Sequence, residues 1–124
     1  MNAQTTVDSF LAAFARMDLD AMIVCFDADA TSFFPTEHHA ERLAGRDAIR
    51  AGFARVIERA RVRGLDRIDL PVSDVQTRNW GDAALVTCHL RDARLGRRSF
   101  VLRRDGDAWR IIHLHASNEN GTTR

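Results

Sequence analysis

The residue types best suited to acid–base chemistry lie in one polar stretch, from Thr36 to Ala44. It contains Glu37, His38, His39 and Glu41. Histidine has the side chain whose usual pKa lies nearest neutrality, so His38 paired with Glu41 can exchange a proton with a substrate. A solvated surface loop carries the same residue types. The sequence favours that loop, and it leaves His38 and Glu41 as the catalytic candidates.

A second set of histidines lies in segments that read as strands. His113 and His115 are two residues apart and share one face, and His89 on a neighbouring strand can join them. Three histidines can hold a catalytic zinc ion. The sequence places no carboxylate on that face to orient the imidazoles. We therefore expect no metal there and interpret these residues as interface histidines.

Length and composition narrow the classes of protein. The chain has 124 residues, 45% of them hydrophobic and 28% charged, which is ordinary for one globular domain. A formal charge of +1 gives no support for nucleic-acid binding. Basic residues are all arginine and tyrosine is absent, which is typical of a GC-rich bacterial genome.

The cysteines and the first residues bear on the compartment. Cys25 and Cys88 lie in separate apolar runs, which indicates buried, reduced thiols. The start of the sequence has neither a basic region nor an apolar segment, and no apolar run reaches the roughly 20 residues of a membrane span. The sequence therefore predicts a cytoplasmic protein with no membrane partner.

Apolar spacings of three and four predict three helices. The first runs from Thr6 to Met17 with Thr5 or Thr6 as its cap, the second follows Asp18, and the third begins near Asp47 and ends before Gly64. Residues 27–30 break the second pattern, and a short strand follows over residues 31–34. Four longer strands complete the chain: Ile68–Arg78, Ala83–Arg91, Arg98–Arg104 and Ala108–Ser117. This order predicts an α+β fold, with helices on one face of a curved antiparallel sheet.

Alternation along the last three strands separates two faces. The apolar row, which we assign to the helix-covered face, contains Val86, Cys88, Leu90, Phe100, Leu102, Ile112 and Leu114. The mixed row contains His89, Val101, Arg103, Ile111, His113 and His115. This second row is too apolar for open solvent and too polar for a core. It predicts a homodimer through the outer face of the sheet.

Several strings, in this order, resemble a known family: residues 26–31, Glu41 before residues 45–50, and residues 105–113 followed by His115 and Ser117. Together they resemble the SnoaL-like branch of the nuclear transport factor 2-like superfamily, which includes ketosteroid isomerase. The ending is also similar to the association domain of calcium/calmodulin-dependent kinases. The resemblance implies a cone of three helices against a strongly bent sheet, a pocket at the wide end, and dimerisation through the outer face.

The resemblance also bears on chemistry. It places Phe10 where ketosteroid isomerase carries its tyrosine, and Phe34 where that enzyme carries its carboxylate base. A phenyl ring can neither donate a hydrogen bond of that kind nor abstract a proton. We therefore do not expect ketosteroid isomerase activity.

The pocket is expected to be apolar, with polarity only at its rim from His38, His39 or Glu41. Its expected lining is Phe10, Phe14, Phe34, Cys88, Leu90, Phe100, Leu102, Ile112 and Leu114. The leading hypothesis is a protein that binds a small, uncharged apolar or aromatic molecule without a cofactor. The alternatives are an isomerase, cyclase or hydrolase that uses His38 and Glu41, and a dimeric assembly module.

Overall fold

The structure is a computed structural model that describes residues 2–35, 41–91 and 95–119. In chain order its elements are α1 (Ala3–Ala15), α2 (Leu19–Ile23), β1 (Phe26–Phe33), β2 (Leu43–Ala44), α3 (Arg46–Val62), β3 (Val72–Trp80), β4 (Ala83–Arg91), β5 (Leu95–Asp105) and β6 (Ala108–Asn118). Helices come first and a meander of long strands follows. The predicted α+β class is confirmed.

Local side-chain chemistry sets the helix boundaries. The carboxylate of Asp18 accepts a hydrogen bond from the Ala21 backbone amide at 3.2 Å, which confirms Asp18 as the cap of α2. The predicted cap of α1 was wrong, because the Asn2 side chain accepts from the Thr5 amide at 2.9 Å and starts the helix earlier. Thr6 is instead buried, and its hydroxyl donates to the Trp109 carbonyl at 3.0 Å.

The six strands form one sheet in the order β2-β1-β6-β5-β4-β3. Neighbours run antiparallel except β1 and β6, which are parallel. Strand β1 starts at Phe26, so the expected break over residues 27–30 lies inside a strand. Its pairing with β6 is irregular between Phe26 and Thr31, which accounts for the lack of a clean alternation there.

A bulge in β6 changes which isoleucine faces the helices. Leu102 pairs with Ile111 and Val101 pairs with His113, so Ile112 is the extra residue. Ile111 is fully buried, whereas Ile112 is half-buried and does not pack against the core. The sequence assigned Ile112 to the inner face and Ile111 to the outer face. Both assignments were wrong, because the extra residue reverses the alternation.

The core lies between the helices and the inner face of the sheet. The rest of the predicted inner row is confirmed, since all six residues are buried: Val86, Cys88, Leu90, Phe100, Leu102 and Leu114. Phe10 of α1 centres an aromatic cluster, with ring centroids 5.4 Å from Phe26 and 5.6 Å from Phe53. Edge-to-face packing of this kind fixes α1 and α3 against the sheet.

Within the described residues, no helix is both long and apolar enough to cross a membrane.

Candidate functional site

A cavity of about 560 Å³ lies between the helices and the inner face of the sheet. Its wall comes from α1, from Phe34 and Pro35 after β1, from α3 and the connection after it, and from β4, β5 and β6. Most of the wall is apolar, and the volume is in the usual range for small-molecule sites.

Phenylalanine rings form one side of this cavity. Phe10 and Phe100 have ring centroids 5.8 Å apart, and Phe34 and Phe53 lie 4.7 Å apart. A glycine permits the second contact, because a Cβ at Gly52 of α3 would lie 2.9 Å from the Phe34 ring. The rings are therefore packed against each other and present a preformed surface.

The structure places six of the nine predicted lining residues on the cavity wall: Phe10, Phe14, Phe34, Leu90, Phe100 and Leu114. Cys88 and Leu102 are buried in the core and do not line it, so their assignment to the site was wrong. Leu102 pairs with Ile111 towards the Phe26 side, where aromatic rings fill the space. Ile112 is also absent from the wall, because the bulge removes it from the inner face.

The sequence analysis missed a charged residue on the inner face. Arg98 lines the cavity and is half-buried. Its Nη1 donates to the carbonyl oxygens of Arg97 at 2.9 Å and Ser117 at 3.1 Å, and to Asn118 Oδ1 at 3.5 Å. The expectation that the polarity of the pocket comes only from His38, His39 or Glu41 was therefore wrong. Arg98 shares the alternation of Phe100 and Leu102, so the signal was present at the edge of the predicted strand.

Two more arginines belong to the helical wall. Arg59 is half-buried on α3, and Arg63 is exposed one turn later. Asp69 contributes an exposed carboxylate from the connection after α3. Among the described lining residues, the ionisable ones are Arg59, Arg63, Asp69 and Arg98.

The catalytic candidates do not meet on the described wall. Glu41 is exposed and does not line the cavity. Its proposed partner His38, together with Glu37 and His39, lies outside the described residues. The pairing of His38 with Glu41 stays a prediction.

The outer-face histidines have defined neighbours. His113 Nδ1 and the Thr31 hydroxyl are hydrogen-bonded at 2.7 Å, and the Phe33 ring lies 5.5 Å from the imidazole of His113 and 5.3 Å from that of His115. The guanidinium carbon of Arg42 lies over the Phe33 ring, 5.3 Å from its centroid. Burial, then the positive charges of His115 and Arg42, lower the pKa of His113.

The third histidine of that face has an acidic neighbour. Asp74 Oδ2 lies 3.4 Å from His89 Nδ1. The expectation of no carboxylate on this face was therefore wrong. The sequence missed Asp74 because the pairing of β3 with β4 is irregular there, so alternation along the strand does not show which face the residue is on. Across the residues that the structure describes, no group of three His, Cys, Asp or Glu side chains could hold a metal ion.

Solved structures with the same fold come from several bacteria. A nuclear transport factor 2-like protein of unknown function from Pseudomonas putida matches with a TM-score of 0.77 at 17% identity, over 92% of this chain and 82% of that one. A protein from Thiobacillus denitrificans, described provisionally as a calcium/calmodulin-dependent protein kinase type II association domain, matches with a TM-score of 0.74 at 27% identity, over 92% of each chain.

A ketosteroid isomerase-like protein from Erwinia carotovora matches with a TM-score of 0.73 at 17% identity, over 95% of this chain and 94% of that one. No curated protein sequence gave a significant match. The family model of the SnoaL-like domain matches residues 3–119, which is nearly the whole sequence. The chain therefore belongs to the SnoaL-like family.

Proposed function

We propose that this SnoaL-like protein binds a small, largely apolar molecule in the cavity between its helices and its sheet. One observation carries the proposal: side chains leave about 560 Å³ open beside a wall of packed aromatic and aliphatic groups. Burial of apolar ligand surface there contributes about 25 cal/mol per Å² before the costs of association are subtracted.

Two features of the cavity favour binding over the other candidate functions. An assembly module with no ligand has no need of an open, preformed cavity, and a cone filled by side chains would suit it better. The described part of the wall holds no imidazole, and its one carboxylate, Asp69, is exposed. Phe10 and Phe34 both line the wall, where neither ring can transfer a proton.

Fluorescence of the neutral probe N-phenyl-1-naphthylamine tests the proposal. We expect saturable binding with enhanced emission, because the probe is apolar and small enough for the cavity. Ala60→Phe places a ring in the cavity from α3, since Ala60 is a buried lining residue. We expect it to weaken probe binding by about ten-fold or more.

Ala51→Phe is the matched control. Ala51 lies on the same helix but is exposed and does not line the cavity, so this variant should keep the affinity of the native protein. Thermal melting of both variants checks that they remain folded. The absence of saturable binding to the native protein, or an equal loss in the two variants, would show that the cavity is not the binding site.

A further inference from the structure

We propose that the connection between α3 and β3, residues 64–71, is a lid that opens to admit the apolar ligand and closes over it. We call this segment the α3–β3 lid. The inference rests on the proposed function and adds to it a route of entry and the side chains that cover the bound molecule.

The lid supplies a large part of the cavity wall. Five of its residues line the cavity: Leu65, Ile68, Asp69, Leu70 and Pro71. The rest of the described wall comes mainly from helices and strands, whose backbones are held by regular hydrogen bonds. Because the parts of a protein with the fewest ties open at the lowest cost in free energy, the lid is the part of this wall best suited to move.

The two ends of the lid are fixed to the fold. At the first end, Gly64 terminates α3 with a φ of 80°, a left-handed conformation that favours glycine. At the other end, the Pro71 carbonyl accepts a hydrogen bond from the Arg91 amide of β4 at 3.0 Å. The chain can therefore swing between these two points while both ends stay in place.

One residue, Ile68, latches the middle of the lid. Within the described residues, the only backbone hydrogen bond that joins residues 66–69 to another element runs from the Ile68 amide to the Ala15 carbonyl at the end of α1, at 2.9 Å. The Ile68 side chain packs against the core, whereas Asp66 and Arg67 are exposed. Release of this one hydrogen bond and this one side chain frees the lid.

Two leucines indicate what the lid closes on. Leu65 is 42% exposed and Leu70 is half-buried, and both line the cavity without joining the described core. Apolar side chains at the edge of an apolar cavity are stabilised when a ligand covers them. A bound apolar molecule supplies the contact that these leucines lack, so a filled cavity favours the closed lid.

Hydrogen exchange measured by NMR tests the lid in the native protein. The amide of Ile68 is compared with that of the fully buried Ile111, which donates to the Cys25 carbonyl at 2.8 Å. Both isoleucines follow an arginine in the sequence, so the two amides exchange at the same intrinsic rate in an unfolded chain. We expect exchange about ten-fold faster or more at Ile68, because the lid opens while the core stays folded. Saturation with N-phenyl-1-naphthylamine should slow exchange at Ile68 by about ten-fold or more.

Stopped-flow kinetics of the same probe test the latch. Ile68→Ala keeps the amide but removes the side chain that packs against the core, so the lid should open more often. We expect the association and dissociation rate constants both to rise by about three-fold or more, whereas the loss of a ligand contact alone raises only dissociation. Asp66→Ala is the matched control, because Asp66 is an exposed lid residue that does not line the cavity, and both rate constants should stay unchanged.

The contrary results separate the lid from the proposed function. Equal exchange at Ile68 and Ile111 in the native protein would refute the lid and leave the proposed function intact, and this measurement needs no variant to fold. Exchange at Ile68 that bound probe does not slow would refute closure over the ligand. A rise in dissociation alone in Ile68→Ala would make Ile68 a wall contact and not a latch. Failure of the probe to bind would refute the proposed function and the lid together.

Discussion

Single side chains decide which chemistry the cavity wall can support. Phe10 is 2% exposed and contacts Phe14, Phe26, Phe53 and Phe100 through its ring, so it belongs to the packing of the core as well as to the wall. Tyrosine in its place would bring a hydroxyl into this cluster of rings, where an unpaired polar group is unfavourable. The polar chemistry of the described wall therefore comes from its arginines and from Asn118.

The imidazole of His113 gives a prediction at the same scale. Burial and the nearby charges of His115 and Arg42 lower its pKa from the usual 6.5, so folding favours the neutral ring. The unfolded chain then binds this proton more readily than the folded chain, and the free energy of unfolding falls as the pH drops below about 6.5 towards the folded pKa. Titration of the His113 resonances by NMR should give a midpoint below 6.5.

Thermal melting provides the second measurement on His113. The native protein should lose stability between pH 7.5 and pH 5.5, and His113→Gln should lose less, because the variant has no imidazole to charge at this position. A midpoint at or above 6.5 would contradict the cause that we assign.

The sequence predicted the correct face of the sheet for residues in the middle of a regular alternation, and it missed residues at the ends of strands. Phe100 and Leu114 were placed correctly because regular pairing continues on both sides of them. Arg98 belongs to the same alternation, but it was the first residue of the predicted strand, whereas β5 starts at Leu95 and carries Arg98 in its interior. A charged side chain is usually exposed, whereas Arg98 is half-buried and hydrogen-bonds to Ser117 and Asn118 of β6.

Among the elements, β6 determines most of the architecture. It pairs with β1 on one side and β5 on the other, and it contributes wall residues at Leu114, Ala116 and Asn118. Its bulge adds one residue, Ile112, between two regularly paired stretches. Because Ile112 has no partner on β5, the alternation of inner and outer side chains before the bulge is out of step with the alternation after it. Hydropathy alone cannot locate this bulge, because Ile111 and Ile112 are identical.

Paired substitutions in the bulge give a prediction at the element scale. Ile111→Ala should lower the free energy of unfolding by about 2 to 5 kcal/mol, since it removes a fully buried side chain from the core. Ile112→Ala, its matched control, should cost less than Ile111→Ala, because Ile112 is half-buried and does not pack against the core. Urea denaturation of both variants measures the difference. A larger loss for Ile112→Ala would restore the alternation expected from the sequence.

The outer face of the sheet concerns the whole molecule. Val101, Leu85 and Ile112 are half-buried there beside His89 and His113, and the exposed His115 and Arg103 lie next to them. Ile111 is buried in the core, so it does not belong to the surface predicted for dimerisation. The half-buried Ile112 takes its place there. We propose that a second copy of this chain covers this face, because a two-fold interface can join identical mixed surfaces.

Sedimentation tests the dimer. The protein should sediment at micromolar concentration with twice the monomer mass of 14.0 kDa. Val101→Glu should shift it towards the monomer, because this residue lies on β5 in the centre of the outer face and a carboxylate there would be desolvated. Val24→Glu makes the same change at a position 63% exposed after α2 and should leave the dimer intact. A stable native monomer would refute the interface.

Acidity should weaken that dimer, and the direction follows from His113. A second copy packed on the outer face buries the imidazole further, which lowers its pKa beyond the reduction already present in the single chain. The separated chains then bind the proton more readily than the dimer does, so dissociation increases as the pH falls from 7.5 to 5. His113→Gln should remove part of this dependence in sedimentation runs at the two pH values. A dimer that tightens on acidification would instead indicate that the imidazolium meets a carboxylate across the interface.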